Sequence, residues 1–506
     1  MLKINNLSVT THKGRKLIDG FSFVLNAGEH IALIGEEGNG KSTLLKIMAG
    51  QDVSDYVSYS GQITADGPVG YLPQTIDAAY HDRTVLQYIS AEGPDQDSHY
   101  ENYSRILQAL RQVSLDEEML ERVIETLSGG ERVRVALARL LYGDHDILLL
   151  DEPTNDLDLP TIIWLEQFIS TSPRAIMFIS HDEALLENCA EGIVHIEQLR
   201  RKQLPHITAA HLPYRQYAQQ RLHGIERNNA IAAKENAAFR AQMEKYRRIY
   251  QRVQHDQATI TRQDPHSGRL LKKKMHAVMS LGRRMEEKRE NLTERYDPEE
   301  AIDIFFPPVS LNPSKVIVDL HLDELRAGDK LLAEDLSLYV SGGDKLCLIG
   351  PNGAGKTTLM RIIRKQLEGK SELKVGYMPQ NYREVMDYSL TPTAFLNPER
   401  LRETDGLVNS YLGALRFTTE EMSHTIDSLS EGQKCKLLLL KLIVEGCDVL
   451  LLDEPTRNLS PLSGPRVRQM LVNYGGCIIA VSHDRKFIDE VATRIVSLEN
   501  GRLQAL

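Results

Sequence analysis

The sequence predicts an α/β chain of two tandem domains of one kind, joined by a long antiparallel α-helical hairpin. Three observations carry this. Five short landmarks each occur twice in the same order, buried apolar runs alternate with helical patterns inside each copy, and the segment between the copies has a coiled-coil period. Chance can produce one such landmark, but not five ordered pairs.

GEEGNGKST (35–43) returns as GPNGAGKTT (350–358), and GYLPQ (70–74) as GYMPQ (376–380). LSGGE (127–131) returns as LSEGQ (429–433), LLLDEPT (148–154) as 450–456, and ISHD (179–182) as VSHD (481–484). The offset drifts from 315 through 306 to 302, as expected of tandem domains whose loops differ slightly in length. These offsets place a first domain over 1–200, a second over 313–506, and a linker over 201–312.

HIALIG (30–35) and KLCLIG (345–350) read as buried strands running into glycine-rich loops. ILLLDEP (147–153) and VLLLDEP (449–455) are buried strands ending in acids, and AIMFISHD and CIIAVSHD supply a further strand each. Strands whose polar residues all sit at their ends indicate a mostly parallel sheet with its site at the carboxyl edge.

The pattern GxxxxGK[ST] between a strand and a helix is a phosphate cradle. Gly35, Glu36, Glu37, Gly38, Asn39 and Gly40 form the first loop, whose glycines let backbone N–H groups turn onto a triphosphate. Lys41 reaches the terminal phosphates, and Ser42 with Thr43 opens the helix. Gly350, Pro351, Asn352, Gly353, Ala354 and Gly355 repeat the loop ahead of Lys356, Thr357 and Thr358. The hydroxyls of Ser42 and Thr357, with Asp151 and Asp453, form a ligand set for Mg²⁺, to which Gln74 and Gln380 are added. Glu152 and Glu454 would polarise an attacking water, and His181 and His483 would orient it or the γ-phosphate. A lone histidine at a strand end is usually structural; a duplicated Ser-His-Asp after a buried strand favours the chemical reading.

These residues resemble the nucleotide-binding domains of the ATP-binding-cassette (ABC) superfamily, whose signature motif LSGGE and LSEGQ match. The resemblance implies two tandem P-loop ABC domains facing head to tail within one chain, a monomer with ATP and Mg²⁺ as cofactors. Each ATP would lie between one domain's phosphate loop and the other's signature. One composite site would join Lys41, Ser42, Gln74, Asp151, Glu152 and His181 to Ser430, Glu431, Gly432 and Gln433. The other would join Lys356, Thr357, Gln380, Asp453, Glu454 and His483 to Ser128, Gly129, Gly130 and Glu131. The sequence departs from the family pattern mainly at the first. Glu37 stands where Asn is usual, and Glu431 replaces a signature Gly; the two carboxylates would either weaken triphosphate binding or point to water. Ser460 stands where the first copy has Asp158, an expected loss of charge from the contact between domains. No aromatic that would stack on adenine is evident ahead of either loop, His12 being the nearest candidate in the first copy.

Residues 214–256 and 266–295 read as two long helices, with a turn near 256–268 where Asp264-Pro265 and Ser267-Gly268 interrupt the pattern. Phe239, Met243, Tyr246, Tyr250 and Val253 form an apolar seam on the first, and Leu271, Met275, Val278 and Met285, with Gly282 between, on the second. The chain carries a net charge of −10, yet 200–295 holds 22 Lys and Arg against 9 Asp and Glu. A basic projecting element between acidic domains points to a polyanionic partner, contacted at its phosphates rather than read by sequence. No apolar run is long enough to span a bilayer, and the five cysteines are scattered without a CxxC pair, which fits a reducing cytoplasm.

Tandem cassettes joined by a long basic helical linker resemble the ABC-F family of translation factors. That resemblance implies binding to the ribosome at its tRNA exit site in the ATP-bound state. The linker would contact 23S rRNA and P-site tRNA and point toward the peptidyl-transferase centre, with tip residues Thr259 to Arg262 nearest it. DEPTRNLSPLS (453–463) further resembles the antibiotic-resistance branch of Gram-positive bacteria, which protects ribosomes from drugs at that centre. The alternatives are a housekeeping or regulatory ABC-F factor and the ATPase subunit of an importer. The importer predicts a short joint where this chain has a basic hairpin. Chromosome-maintenance ATPases place their coil inside one cassette, unlike this chain.

Overall fold

The computed structural model describes residues 1–91, 99–155, 157–199, 204–259, 265–296, 298, 304–309, 311–370, 372–399 and 402–506. The expected hairpin tip, Thr259 to Arg262, lies outside the described residues from 260 onward. The described chain divides into two compact units, Met1–Tyr214 with Glu299–Leu506, and Arg215–Pro298.

The first unit holds both cassettes. In the first, strands β3 (His30–Ile34), β6 (Ile147–Asp151) and β7 (Ala175–Ile179) are buried at every position. Unbroken apolar runs of this length suit strands covered on both faces. With β5 (Val69–Leu72), β8 (Gly192–Gln198) and β9 (Leu204–Ala210) they form a sheet of order β5-β6-β7-β3-β8-β9, parallel except for β9. A second, antiparallel sheet pairs β1 (Leu2–Thr11) with β2 (Lys16–Leu25) and β4 (Val57–Ala65).

The second cassette repeats the main sheet strand for strand. β12 (Lys345–Ile349), β13 (Val375–Met378), β14 (Val449–Asp453), β15 (Cys477–Val481), β16 (Arg494–Glu499) and β17 (Arg502–Ala505) run in the order β13-β14-β15-β12-β16-β17. Its antiparallel sheet has two strands among the described residues, β10 (Val316–Ala327) and β11 (Lys330–Ser341), against three in the first cassette. The strand carrying each phosphate loop lies beside the one carrying the Ser-His-Asp, and that strand lies beside the one ending in the acids. The parallel direction therefore brings all three motifs to one edge. The five cysteines are buried free thiols.

The cassettes meet through ion pairs of one polarity. Arg468 binds Glu183 through both guanidinium nitrogens at 2.8 and 3.0 Å, and both side chains are nearly closed to solvent. Arg485 binds Glu166 and Asp182, and Lys486 binds Glu187 at 2.7 Å. In the 302-residue register Arg468 is the counterpart of Glu166, and Arg485 of Glu183. The two arginine pairs are thus one contact repeated by pseudo-twofold symmetry, with both acids on the first cassette and both arginines on the second. Pairing two copies of either cassette would set like charges against each other, which works against the wrong dimer.

The second unit is a helical hairpin. Its helices span Tyr214–Thr259 and Pro265–Glu290. Contacts of Gln257 with Leu271, Gln242 with Lys288, Glu235 with Thr293 and Asn229 with Tyr296 run in opposite chain directions, so the arms are antiparallel. Every seam residue expected from the sequence is buried or half-buried, and a Cβ on Gly282 would come within 2.6 Å of the Tyr246 hydroxyl. The second helix ends at Glu290 rather than at 295. Beyond it the Thr293 N–H donates to Glu235 and the Tyr296 N–H to Asn229, both at 2.8 Å, bonds that a continuing helix would spend on its own carbonyls. Lys245, Arg247, Arg248, Arg252, Lys272, Lys273, Lys274, Arg283 and Arg284 are exposed. Among the described residues no helix is long and apolar enough to cross a membrane.

Candidate nucleotide-binding sites

Each phosphate loop is built from the strand it leaves. Gly35 and Gly350 have φ of +145° and +142°, and a Cβ there would collide with the carbonyl oxygen of Ile196 or Leu498 on the adjacent strand. Only glycine lets the loop turn so close to the sheet. Buried Asn39 braces the first loop by donating to the Ile196 carbonyl at 3.2 Å. Lys41 Nζ donates to the carbonyls of Gly35 and Glu36 at 2.9 and 3.1 Å, and Lys356 Nζ to those of Gly350 and Pro351 at 2.7 and 2.9 Å. Both ammonium groups are therefore held inside the curve of their own loop, where phosphate oxygens would be drawn.

Ser42 Oγ donates to Asp151 at 2.9 Å and Thr357 Oγ1 to Asp453 at 3.1 Å. A hydroxyl and a carboxylate in contact beside a phosphate cradle suit Mg²⁺, a hard cation that completes its shell with phosphate oxygens and water. Ser42 with Asp151, and Thr357 with Asp453, would hold it. Tyr71, which sequence reasoning passed over although it lies inside GYLPQ, donates to the other Asp151 oxygen at 2.8 Å. The residue just past each strand, Glu152 or Glu454, takes a left-handed φ of 49° or 53°. That backbone costs on the order of 1–3 kcal/mol for a non-glycine residue, and both copies keep it.

The two composite sites differ from there. In the first, Glu152 accepts from Gln74 Nε2 at 2.9 Å and Asn155 Nδ2 at 2.6 Å, and His181 Nε2 lies 3.1 Å from it. Burial alone would raise the Glu152 carboxyl, but the His181 ring, Lys41 and Asn155 override it and hold it to about 2. The other His181 nitrogen reaches across to the Leu459 carbonyl at 2.7 Å. In the second, the His483 ring is 3.9 Å from Glu454, whose closer partner is the His483 backbone N–H at 3.3 Å. Burial and the neighbouring Asp453 push Glu454 up to about 8, while burial and Lys356 lower His483 to about 4. A divalent cation at Asp453 would pull Glu454 down again.

The acidic loop of the first site faces the second cassette, not water. Glu37 Oε2 accepts the Gly432 N–H at 2.6 Å. Glu36 accepts from Ser460 Oγ at 2.6 Å, Ser463 Oγ at 2.7 Å and Lys436 Nζ at 3.0 Å. Burial opposes this charge, but Lys436 and the two serines outweigh it and hold Glu36 at about 2. Two expectations are corrected here. Ser460 does not remove a charge from the contact, because Glu36 returns one from the opposite face. Glu37 does not point to water; Glu431 alone turns outward, half-exposed beside Lys434 at 2.8 Å. At the second site the arrangement is reversed, with Asp158 of the first cassette reaching the Asn352 backbone and lying near His483.

The signature serines cap their own helices. Ser128 Oγ accepts from the Glu131 N–H and Ser430 Oγ from the Gln433 N–H, while the Glu131 and Gln433 side chains reach back in capping boxes. Each hydroxyl keeps its own hydrogen for an anion. A cavity of about 550 Å³ opens at the second site, lined by Lys356, Thr357, Gln380, Asp453, Glu454 and His483 of the second cassette. Thr154, Asn155, Leu157, Ile162 and His181 line it from the first. Its volume falls in the range of about 300–1,000 Å³ typical of small-molecule sites. Ser128 and Gly130 are not in that lining; a Cβ on Gly130 would lie 2.9 Å from Thr161 Oγ1. Ala327, Lys330 and Leu332 line the cavity ahead of the phosphate loop, and exposed His12 stacks on no described ring.

A family model described as "ABC transporter" matches residues 18–155 and 333–457. Energy-dependent translational throttle protein EttA of Escherichia coli (strain K12) is 30% identical, covering 96% of this chain and 90% of EttA. ATP-binding cassette sub-family F member 2 of Bos taurus is 29% identical, covering 97% of this chain and 79% of that one. The solved complex of archaeal ribosomal stalk protein aP1 and archaeal ribosome recycling factor aABCE1 matches with a TM-score of 0.58 at 18% identity, covering 95% of this chain and 86% of that one. That likeness concerns the fold alone. Duplicated phosphate cradles, paired acids and signature helices in tandem cassettes, together with these relatives, show that this chain is an ATP hydrolase and belongs to the ABC-F family of the ATP-binding-cassette superfamily.

Proposed function

We propose that this ATPase binds the ribosome at its tRNA exit site when its cassettes are closed on ATP, and acts on the peptidyl-transferase region through the helical hairpin. The observation that carries the reading is the hairpin itself. Helices Tyr214–Thr259 and Pro265–Glu290 bury a single apolar seam and expose a dense set of lysines and arginines. A longer arm of 46 residues reaches roughly 70 Å at 1.5 Å per residue, far beyond what a joint between two cassettes requires. Its chemistry suits the phosphates of 23S rRNA and P-site tRNA, contacted by charge and shape.

Glu152 and Glu454 serve as the bases for water attack, with His181 and His483 as their positioning partners. In this reading ATP holds the cassettes together and hydrolysis releases the ribosome. The finer part of the proposal is that the chain protects ribosomes from antibiotics at the peptidyl-transferase centre. A regulatory role in translation is the second reading, favoured by the 30% identity to a protein named as a translational throttle.

Changing Glu152 and Glu454 together to Gln should block hydrolysis and leave the protein co-sedimenting with ribosomes in ATP. A double variant that stays in the supernatant would sink the translation reading. Expression of the wild type should raise tolerance to lincosamides, pleuromutilins, streptogramin A or phenicols; unchanged tolerance to all of them leaves the regulatory role.

A further inference from the structure

At the first composite site an anion of the protein itself already sits on the signature helix. That helix, Glu431–Glu445, is capped by Ser430, whose Oγ takes the Gln433 N–H. The Gly432 N–H, one residue earlier in the same first turn, points across the interface and is taken by Glu37 at 2.6 Å. A carboxylate there meets both a hydrogen-bond donor and the positive end of a 15-residue helix. Glu36, next in the same loop, is fastened by Lys436, Ser460 and Ser463. Ser460 and Ser463 are 3% and 0% exposed, so the anchor is built into the interface. The loop holding Lys41 is thereby tied to the signature helix by bonds that involve protein atoms alone.

The second site has no such side chains. The residues in the places of Glu36 and Glu37 are Pro351 and Asn352, which carry no charge. Its interdomain carboxylate, Asp158, comes from the opposite cassette and reaches the Asn352 backbone. No side chain of the loop offers a charge to the signature helix, so a ligand bridging those two must bring its own.

We propose that Glu37 is a specificity-determining residue of the first site. Its carboxylate holds the signature amide that a γ-phosphate would otherwise take, so the first site accepts nucleoside diphosphate as readily as triphosphate, while the second selects triphosphate. A diphosphate on the Lys41 loop leaves the Glu37–Gly432 bond in place. A triphosphate must displace Glu37 and then lie beside a carboxylate with no donor of its own, an electrostatic penalty the diphosphate does not meet. Glu36 acts as a positioning residue that keeps Glu37 at the amide. The inference rests on the composite-site arrangement, Lys41 facing Ser430 and Gly432.

The test uses the full chain with Lys356→Ala, which removes the phosphate-binding lysine of the second site so that binding reports the first. Competition of ADP and of a non-hydrolysable β,γ-imido ATP analogue against a fluorescent nucleotide gives the ratio of their affinities. We expect the two to bind within about threefold of each other, and Glu37→Asn, the residue of the second copy, to move the ratio about tenfold or more toward the triphosphate. Glu37→Gln keeps an acceptor oxygen without the charge and should fall between them. A tenfold triphosphate preference already present with Glu37 intact overturns the proposal, and so does a ratio that Glu37→Asn leaves unchanged. Binding of neither nucleotide overturns the composite-site reading along with it.

Discussion

The two composite sites are built from one duplicated design, and their difference lies in where the interdomain carboxylate is mounted. At the second site it belongs to the turn after Asp151 and Glu152, as Asp158. At the first that turn carries Ser460, and the carboxylate is on the phosphate loop as Glu36, with Glu37 beside it. The contact keeps a charge in both places, but mounting it on the phosphate loop ties that loop to the signature helix through the Gly432 N–H and Lys436. A duplicated site can therefore keep its phosphate loop and acid pair and still differ in its interdomain contact, through side chains that reach the opposite cassette.

The comparison depends first on the cassettes pairing in the right sense. Arg468→Glu would set a carboxylate against Glu183 and Glu490 in a buried contact, and we expect a loss of about 3–5 kcal/mol in the stability of the paired state. Thermal unfolding and ATPase rate would both register it. Adding Glu183→Arg restores opposite charges, and a double variant no better than the single one would mean that the pair is incidental. A smaller effect separates the chemistry of the sites. Glu454→Gln should lower steady-state ATP hydrolysis about 100-fold, whereas Glu152→Gln should change it by only about threefold. Equal losses would erase the functional asymmetry. The smallest change tests the relocated charge. Ser460→Asp would place two carboxylates together at Glu36 and weaken the first interface by about 1–3 kcal/mol, read as increased distance between labels on the two cassettes. Adding Glu36→Pro and Glu37→Asn reproduces the second site's loop and should restore the distance.

Much of this was legible in the chain itself. The phosphate loops, Asp151 with Glu152, Asp453 with Glu454, and the histidines after β7 and β15 are short local patterns tied to one strand edge. The parallel strand order then brings them to one edge. The hairpin seam was legible for the same reason, since a 3.5-residue period fixes which side chains share a face. The helix end at Glu290 was not, because it depends on Glu235 and Asn229 of the other arm taking the backbone N–H groups that follow. Glu37 was visible as a departure from pattern, but its role was misread, and Glu36 was read only as a member of the phosphate loop. The signal that would have corrected it was the paired change, an acid gained at 36 and an acid missing at 460.

The sequence by itself determined the fold class, the duplication, the ATPase chemistry and the basic hairpin, all of which follow from residue types at fixed short spacings. Tertiary structure decided which charges face which across the interface. Lys436 and Ser460 lie 400 and 424 residues from Glu36, and Arg468 lies 285 from Glu183. No local spacing encodes such pairs. They exist because folding brings opposite charges out of water together, where each stabilises the other only in that one alignment.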